Sequence, residues 1–404
     1  MIWAIGLDDT DYPEGGCTTW HANQLEQILI KSGAKPIQRR LVRLWPFAVR
    51  RTRGNAAMAL IVDINPDNQQ QCIDSINTWF TTLVEEIKLN DESRHARPGL
   101  IICEEGQFDE SIYWQCVRSE FSDLETIVND PSVIHYLVSD LGTDGLIGAG
   151  AAVSWVPSDN STFEGIAWRD SSKCGDIRNI PDNAITILEN NHPNTFMNRD
   201  PTYNRGLISP RTPCPVLFGV RGRNIDATSN ALNDLMKLDW MEKIVDYSIH
   251  ITNQCTDDHL VAEIEATVLD IPQKNRGGHV TVNILTNSGS IPLISFKDGG
   301  LLNSTVADLL PGDRIIVLGL VSPDGHLHIE RLKRLLSAPG CLIRPKCRCG
   351  GHLKSTGKSG NLRCKTCKNI EDSYWLARIR KSFDWVEPPP SSRRHLSRPV
   401  NMMN

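Results

Sequence analysis

The sequence predicts a multidomain α+β protein of 404 residues. Strand and helix patterns alternate through the first two-thirds of the chain. Five short β-branched segments, separated by Gly and Pro, come next, and two close pairs of cysteines lie near the C-terminal end. Because domains usually contain about 100–200 residues, we expect two to four of them. Hydrophobic residues make up 40% and charged residues 23%, which is ordinary for a globular protein and excludes a wholly disordered chain.

The N-terminal half shows alternating strand and helix signals. Ile2–Leu7 is a short apolar run that predicts a buried strand, and Trp20–Ser32 has the apolar spacing of a helix. The same criteria predict strands at Met58–Ile64, Phe163–Trp168, Pro215–Val220 and Asp246–Ile251, helices at Ser75–Ile87 and Asn224–Lys237, and further elements of unassigned type at His135–Ser139 and Ile147–Val156. We expect one domain over residues 1–152 and a ferredoxin-like domain over 153–258.

A β-rich segment follows. Five strands are predicted at Val261–Leu269, His279–Thr286, Ser290–Phe296, Arg314–Leu320 and His326–Leu332. Short strands in this number and spacing favour an OB-fold barrel over residues 259–337, a fold that often binds oligonucleotides. The alternative is another small β-barrel, and the fold alone would not define a function.

The cysteines near the C-terminus predict a zinc ribbon over residues 338–376. Cys347, Cys349, Cys364 and Cys367 form two close pairs, the usual ligand pattern of a structural Zn²⁺. The first pair has CxC instead of CxxC spacing, so His352 or Cys341 could supply the fourth ligand. No signal peptide and no apolar run of about 18 residues is recognised. We therefore expect a cytoplasmic protein without a membrane contact, whose thiols stay reduced.

The charge is unevenly distributed. The formal net charge is −5, yet the segment from Leu342 to Lys381 is strongly basic, and a basic tail is expected over residues 377–404. This asymmetry indicates contact with a polyanion, although a solvated surface would explain it equally well.

Three carboxylates follow the first predicted strand. Asp8, Asp9 and Asp11 lie in the motif DDTD, where oxygen ligands at the end of a strand could hold Mg²⁺. The alternative is a set of loop caps. These residues are our candidates for a catalytic metal-binding group.

A glycine-rich segment lies just before the predicted helix at Trp20. Backbone N–H groups near Gly15 and Gly16, together with the helix N-terminus, could bind phosphate. Cys17, Thr18 and Thr19 complete this loop, and in the alternative interpretation the threonines only cap the helix. No GKS or GKT sequence follows, so it is not a Walker A loop.

Two further motifs could contact phosphate or a ligand. In RTRGN, Arg51 and Arg53 could bind phosphates beside a glycine that permits close approach, and Asn55 follows; the alternative is a basic surface loop. The Gly-rich segment 145–150 could pack closely beside a ligand or form a turn in the core.

The ordered motifs resemble one family. DDTD, GGCTT, RTRGN, GLIGA, PCPVLFGVRG, TNQCTDDHL, GGHV, the cysteine ribbon and PSSRRHLSRP occur in the order found in archaeal agmatinyl-cytidine synthetases, which act on the minor isoleucine tRNA. The resemblance covers nearly the whole chain. It implies a kinase-like ATP-binding N-terminal domain, followed by the ferredoxin-like, OB-fold and zinc-ribbon domains.

The resemblance also implies a reaction. ATP would activate the 2-carbonyl oxygen of the first cytidine of a CAU anticodon by phosphorylation, and agmatine would then displace phosphate to form 2-agmatinylcytidine. Asp8, Asp9, Asp11 and Thr18 would be catalytic, and Thr18 would itself be phosphorylated, with Thr19 as the alternative. ATP, Mg²⁺ and Zn²⁺ are the implied cofactors.

The tRNA would be held by basic residues of the C-terminal part. The candidates are Lys354, Lys358, Arg363, Lys365, Arg393 and Arg394. A non-catalytic nucleic-acid-binding protein would explain this part but not the N-terminal motifs. A small-molecule or protein kinase would explain only those motifs. The sequence does not specify the agmatine-contacting residues or the oligomeric state.

Overall fold

The computed structural model describes residues 1–13, 15–49, 54–91, 95–121, 123–338, 342–357, 360–377 and 380–403. The chain forms two compact units. Unit 1 contains residues 1–261 and 389–404, and unit 2 contains residues 262–388. No helix in the described part of the chain combines the length and apolar character that crossing a membrane requires.

The described residues of unit 1 form eleven strands and seven α-helices. The strands are β1 (Ile2–Asp8), β2 (Lys35–Arg43), β3 (Ala56–Asp63), β4 (Gly99–Glu104), β5 (Val133–Val138), β6 (Thr162–Arg169), β7 (Thr195–Phe196), β8 (Arg199–Asp200), β9 (Arg205–Gly206), β10 (Val216–Gly222) and β11 (Ile244–Thr252). The helices are α1 (Thr18–Lys31), α2 (Gln69–Asn90), α3 (Ser111–Arg118), α4 (Leu124–Val128), α5 (Asp144–Ser154), α6 (Ala184–Asn191) and α7 (Ile225–Met236).

Nine of these strands form one sheet with the order β5-β4-β1-β3-β2-β11-β6-β10-β7. Neighbouring strands are antiparallel except β2 and β11, which pair in parallel through Ile251 with Arg40 and Thr252 with Leu41. This short parallel contact joins the N-terminal strands to those of the following segment. The sheet therefore continues across both of the domains expected over residues 1–258.

Both faces of the sheet are covered at β1, which explains the uninterrupted apolar run of this strand. Trp3, Ile5 and Leu7 point into a core formed with α1 and α2, whereas Ala4 points into a core formed with α3 and α5. A strand buried on both faces needs apolar residues at every position, so it lacks the alternation of a half-exposed strand.

The predicted elements are present with small shifts at their ends. Helix α7 shows how a local sequence signal fixes the start of a helix. The side chain of Asn224 accepts the N–H of Ala227 at 2.8 Å and caps the helix, as its position before an apolar periodicity suggests. Strands β2 and β4 were not predicted. The Gly-rich segment 145–150 forms part of α5 and is not a turn. The expected boundary after residue 152 falls inside this helix, and residues 389–404 of the expected tail belong to unit 1.

Unit 2 begins with a small closed β-structure. Its elements are β12 (Ile264–Val268), β13 (Gln273–Lys274), β14 (Val280–Thr286), β15 (Gly289–Ser295), α8 (Leu301–Ala307), β16 (Arg314–Val321) and β17 (Leu327–Leu336). The strand order is β12-β16-β17-β15-β14, and pairing of β12 with β14 closes the ring. All five predicted strands are confirmed here, and their inward side chains form one apolar core.

The rest of unit 2 consists of short strands. They are β18 (Leu342–Ile343), β19 (Leu353–Ser355), β20 (Leu362–Cys364), β21 (Ile370–Glu371), β22 (Leu376–Ala377) and β23 (Phe383–Val386). Strands β19, β20 and β21 form a three-stranded sheet, and β23 pairs with β17. Cys364 ends β20, whereas Cys347, Cys349 and Cys367 lie outside the strands of this sheet. Leu353 and Leu362 are buried beside Cys347 and Cys364. Because this core is so small, a metal crosslink would contribute much of its stability.

Candidate active site

A cavity of about 300 Å³ lies in unit 1, where the loop after β1 meets β2, β6 and β10. We call it the first cavity. Its polar lining includes Asp11, Thr18, Thr19, Arg43, Glu164, Ser209, Thr212, Arg221 and His395, and its apolar lining includes Leu41, Ile166, Ile208 and Val216. Apolar walls with a few convergent polar groups are typical of sites for small molecules or nucleobases.

A second cavity of about 330 Å³ lies beside the start of α5 and is lined by Asp8, Trp45, Asn55, Asp144 and Gly148, among others. A third, of about 210 Å³, shares Arg43, Gly54 and His395 with the first cavity and Leu44 and Asn55 with the second. The third cavity thus lies between the first and the second and shares lining residues with each of them.

Asp8 ends β1 and packs directly against α5. A Cβ atom at Gly148 would lie 1.7 Å from Asp8 Oδ2, so only glycine leaves room for this carboxylate. Burial raises the pKa of Asp8 well above its usual value, and the negative charges of Asp9 and Asp11 raise it further. A site that raises a carboxyl pKa in this way is complementary to a bound cation.

The three carboxylates of the DDTD motif are not directed to one point. Asp8 lines the second cavity, whereas Asp11 lines the first. Asp9 lies between them with a left-handed backbone (φ 54°), and its carbonyl oxygen accepts the N–H of Arg97 at 3.1 Å. The loop therefore connects two cavities, which the sequence alone did not reveal.

Thr18 is 4% exposed and lies at the start of α1, where buried hydrogen bonds fix its hydroxyl group. Thr18 Oγ1 donates to Asp11 Oδ1 at 3.0 Å and accepts from Thr10 Oγ1 at 3.1 Å. Thr10 Oγ1 also lies 2.8 Å from Nδ1 of His21. The same Asp11 oxygen accepts the backbone N–H of Thr18 at 2.5 Å, so Asp11, and not a threonine side chain, caps the start of α1. A carboxylate held against a hydroxyl proton can act as a general base.

The other residues of this loop have varied surroundings. Gly16 packs against the ring of Tyr12, since a Cβ atom there would lie 2.3 Å from Cδ1, and Gly15 lies next to Cys174. Cys17 has the extended backbone of an N-cap residue. The hydroxyl of Thr19 accepts the indole N–H of Trp168 at 3.4 Å.

A buried charge cluster forms the opposite wall of the first cavity. Glu164, 4% exposed, lies 3.1 Å from Arg221 Nη2 and 3.6 Å from Arg43 Nη2, and it accepts a hydrogen bond from Gln254. Burial would raise the pKa of Glu164, but the charges of Arg221 and Arg43 outweigh this and lower it to about 2. Two guanidinium groups and one carboxylate leave the cluster with a net positive charge.

The TNQCTDDHL motif fixes this cluster in place. Asn253 Oδ1 accepts the backbone N–H of Arg43 at 2.7 Å, and its Nδ2 donates to the Arg43 carbonyl oxygen at 2.9 Å and to Tyr113 Oη at 2.8 Å. Neighbouring Gln254 contacts Glu164 and Arg221. Sequence reasoning named none of Arg43, Glu164 and Arg221. The motifs that carry Arg221 and Gln254 were recognised, but without roles for these residues.

Gly54 adopts a left-handed conformation (φ 73°) next to Asn55, and its carbonyl oxygen accepts from Arg43 Nη1 at 3.3 Å. A Cβ atom there would lie 2.5 Å from Arg43 Nη1, so glycine leaves room for the Arg43 guanidinium. The close approach of a phosphate that was predicted here stays a prediction. Asn55 Nδ2 donates to the Trp45 carbonyl oxygen at 2.8 Å. Arg51 and Arg53 lie outside the described residues.

The four predicted zinc ligands come together in unit 2. Their sulfur atoms all lie within 4.8 Å of one another, with 3.5 Å between those of Cys347 and Cys367 and between those of Cys349 and Cys364. The CxC spacing is therefore compatible with a four-cysteine site. His352 is not part of this group, and Cys341 lies outside the described residues. The backbone N–H of Cys367 lowers the pKa of the Cys364 thiol to about 6, which favours the thiolate that a metal needs.

The predicted tRNA-binding residues occur in both units. Lys354 and Arg363 are exposed on the three-stranded sheet of unit 2, where they pair across β19 and β20, and Lys365 is exposed in the turn after β20. Arg393 and Arg394 belong to unit 1, and the Arg394 guanidinium lies 4.6 Å from the centre of the Phe47 ring. Lys358 lies outside the described residues.

A hydroxyl group held by a carboxylate, opposite a cationic wall that could neutralise phosphate, is suited to phosphoryl transfer. An exposed basic sheet beside four clustered cysteines is suited to binding nucleic acid. Together these are features expected of an enzyme that uses a phosphorylated nucleotide to modify a nucleic acid.

Comparison with known proteins identifies the family. The TiaS TCKD domain matches residues 4–139 and the TiaS FLD domain matches residues 143–259. The tRNA(Ile2) 2-agmatinylcytidine synthetase TiaS of Methanopyrus kandleri is 35% identical over 99% of this chain and 96% of its own length. The crystal structure of apo TiaS, a tRNA(Ile2) agmatidine synthetase, covers the whole chain and 98% of its own with a TM-score of 0.87 at 27% identity. That of the TiaS–tRNA(Ile2)–AMPCPP–agmatine complex has the same coverage, with a TM-score of 0.80 at 26% identity. The chain belongs to the family of tRNA(Ile2) 2-agmatinylcytidine synthetases.

Proposed function

We propose that the reaction of this family takes place in the first cavity of unit 1. As a member of the family, the chain is a ligase that attaches agmatine to a cytidine of tRNA(Ile2) at the expense of ATP. The observation that supports our choice of site is that Thr18 with Asp11 and the arginine pair Arg43 and Arg221 line one cavity. A phosphoryl acceptor and groups that neutralise phosphate are thus brought together.

The second cavity is our candidate for the ATP site. It is lined by Asp8 and Asn55, and the DDTD loop connects it to the first cavity. Asp8 and Asp9 would hold Mg²⁺, which protein sites commonly bind through one or two carboxylates and the phosphates of the nucleotide. The raised pKa of Asp8 fits this assignment, because a bound cation would offset the negative charges around it. The ion would neutralise charge on the phosphates during transfer.

Thr18 is the candidate phosphoryl acceptor of the protein itself. Its hydroxyl proton points at Asp11 Oδ1, which would take the proton as the oxygen attacks the γ-phosphorus of ATP. The hydrogen bond from Thr10 occupies one lone pair of Thr18 Oγ1 and so limits the directions of attack. Thr19 is less suited to this role, since its hydroxyl contacts Trp168 and Cys17.

The modification itself needs an activated base. Phosphorylation of the cytosine 2-carbonyl oxygen turns it into a good leaving group. The amine nitrogen of agmatine then bonds to C2, and the oxygen departs with the phosphate. Arg43 and Arg221 would stabilise the negative charge on the phosphoryl group in this step. The target base must leave its stack to enter a cavity of this kind.

We retain four domain names as part of this proposal. Residues 1–152 are the kinase-like domain, 153–258 the ferredoxin-like domain, 259–337 the OB-fold and 338–376 the zinc ribbon. The closed strand order of the β12–β17 region supports the third name, and the clustered sulfur atoms support the fourth. Cys347, Cys349, Cys364 and Cys367 would hold one structural Zn²⁺ with no open position for a substrate.

Transfer of radiolabelled agmatine to tRNA(Ile2) tests the proposed site. We expect incorporation that requires ATP and is reduced at least 100-fold in Asp11→Asn, since removal of one catalytic group typically costs this much. A nucleic-acid-binding protein without catalysis would bind the tRNA and incorporate nothing. Wild-type incorporation together with an active Asp11→Asn variant would place the chemistry elsewhere.

Salt dependence tests the basic sheet. Replacing Lys354, Arg363 and Lys365 by alanine should weaken tRNA binding and reduce the slope of log K against log salt concentration by roughly three units, about one for each phosphate contact. The KM for ATP should not change. An unchanged slope would show that this sheet does not contact the tRNA backbone.

A further inference from the structure

The C-terminal segment after residue 388 returns to unit 1 and is firmly held there. The carbonyl oxygens of His395 and Leu396 accept the N–H groups of Cys255 at 2.9 Å and Asp257 at 3.0 Å, and the N–H of Arg398 donates to Asp257 Oδ1 at 2.8 Å. Leu396 is 3% exposed and belongs to the core around α3 and α5. These contacts fix the position of the His395 backbone in unit 1.

The His395 imidazole lines both the first and the third cavity. Its Nδ1 atom is buried and has no hydrogen-bond partner among the described residues. Arg43 Nε is in the same state. The two side chains lie close together, since the position that a Cβ atom of Gly54 would take is 3.1 Å from His395 Nε2 and 2.5 Å from Arg43 Nη1.

An unsatisfied buried polar atom destabilises a protein, so two of them on neighbouring side chains that line one cavity point to a ligand that pairs with both. Arg43 Nε can only donate a hydrogen bond. The charges of Arg43 and Arg221, with burial, lower the pKa of His395 to about 3, so its imidazole is neutral and one ring nitrogen can accept. The wall thus offers a donor next to an acceptor.

This pattern is complementary to one edge of cytosine. The exocyclic amine of cytosine donates, and the adjacent ring nitrogen accepts. On uracil the corresponding atoms have the opposite roles. Agmatine carries donors and positive charge at both ends, so it offers no acceptor to the N–H of Arg43 Nε. The wall therefore fits the base better than the amine.

We propose that His395 contacts the target cytosine and helps to select it, by accepting a hydrogen bond from the exocyclic amine while Arg43 Nε donates to the ring nitrogen. This inference rests on the proposed function, because it requires the target base to enter the first cavity. A residue from the far end of the chain would then complete a site built on β2, β6 and β10.

Paired changes in the enzyme and in the tRNA test the contact. The enzyme variant is His395→Leu. The tRNA variant carries 2-pyrimidinone, which lacks the exocyclic amine, in place of the target cytosine. Each change alone should lower kcat/KM for tRNA by about tenfold, because it leaves a buried polar group unpaired. The enzyme change and the tRNA change together should lower kcat/KM little more than either change alone, as expected for groups that contact each other.

Three further measurements complete the design. His395→Asn keeps an acceptor near the position of Nδ1 and should recover most of the activity on cytidine. Asn401→Ala, an exposed residue of the same segment, is the matched control and should behave as wild type. The KM values for agmatine and ATP should stay within twofold in His395→Leu. Tryptophan fluorescence and circular dichroism report whether each variant is folded.

Several outcomes would overturn the inference. If the enzyme change and the tRNA change together lowered kcat/KM by the product of their separate effects, His395 would not contact the amine. A raised KM for agmatine alone would assign His395 to the other substrate. If His395→Leu does not fold, His395→Asn takes its place in the test. An equal loss of activity of this variant on the tRNA with cytidine and on the tRNA with 2-pyrimidinone would also contradict the contact. Failure of the wild-type enzyme to modify cytidine would instead contradict the proposed function.

Discussion

Replacement of Glu164 by glutamine should destabilise unit 1 by an amount that depends on pH. The carboxylate is the counter-charge of two arginines and is 4% exposed. Its pKa is about 2 in the folded protein, against an ordinary value of 4.5. A pKa lowered by folding contributes stability above the unfolded value, and this contribution is lost as the pH falls through the folded value. The relevant pH range is therefore from 4.5 down to 2.

The size of the effect follows from the two pKa values. Each pKa unit corresponds to about 1.4 kcal/mol, so the contribution at pH 7 is about 3 kcal/mol. The same relation gives about 1 kcal/mol at pH 3. An independent comparison agrees, since removal of one partner from a buried ion pair costs about 3–5 kcal/mol. Glutamine keeps an oxygen for Gln254 and nearly the same volume, so the charge is the main change.

Urea unfolding followed by tryptophan fluorescence measures this effect. Eight of the ten tryptophans lie in unit 1, so the signal reports mainly on that unit. Glu189→Gln removes the partner of Arg199 in a partly exposed ion pair and serves as the matched control, with an expected change below about 1 kcal/mol. If Glu164→Gln unfolds within 1 kcal/mol of wild type at pH 7, or shows the same deficit at pH 3, the charge cluster does not have the proposed energetic role.

Three other variants test separate parts of the structure. Gly148→Ala should leave the protein folded but lower ATP turnover about 100-fold, because its Cβ would displace Asp8 by an ångström or more. Gly150→Ala, whose Cβ would meet only a side chain at 3.1 Å, is the control, and equal activity of the two would refute the clash. Thr18→Val should abolish ³²P transfer from γ-labelled ATP to the protein while Thr18→Ser retains it; label persisting at full level in the valine variant would exclude Thr18. Purified wild-type protein should contain one equivalent of zinc by atomic emission, and Cys364→Ser should lose it, since a structural site needs all four ligands.

Local sequence patterns were sufficient to predict most of the helices and strands that position the candidate site. Apolar runs and helical spacing identified β1, α1 and the five strands of unit 2, because these patterns reflect the burial of each segment on its own. The cysteine spacing predicted the sulfur cluster, since ligands on two short turns have few ways to meet. Strand β2 was missed because its residues Gln38, Arg39 and Arg40 interrupt the apolar pattern, although Arg40 is buried and donates to Trp155 and Glu105.

The composition of the first cavity was decided by the tertiary structure. Arg43, Glu164, Arg221 and His395 come from four separate segments. Arg221 and His395 lie in the recognised motifs PCPVLFGVRG and PSSRRHLSRP, but neither motif indicated a role for them. The meeting of the four residues depends on the parallel pairing of β2 with β11 and on the return of the C-terminal segment to unit 1. The division of Asp8 and Asp11 between two cavities likewise depends on α5, whose glycines pack against the end of β1. Sequence periodicity records whether a residue is buried, whereas contacts between distant segments are selected by the packing of the whole unit. The DDTD and GGCTT segments could therefore be identified from the sequence, but the opposite wall of the first cavity could not.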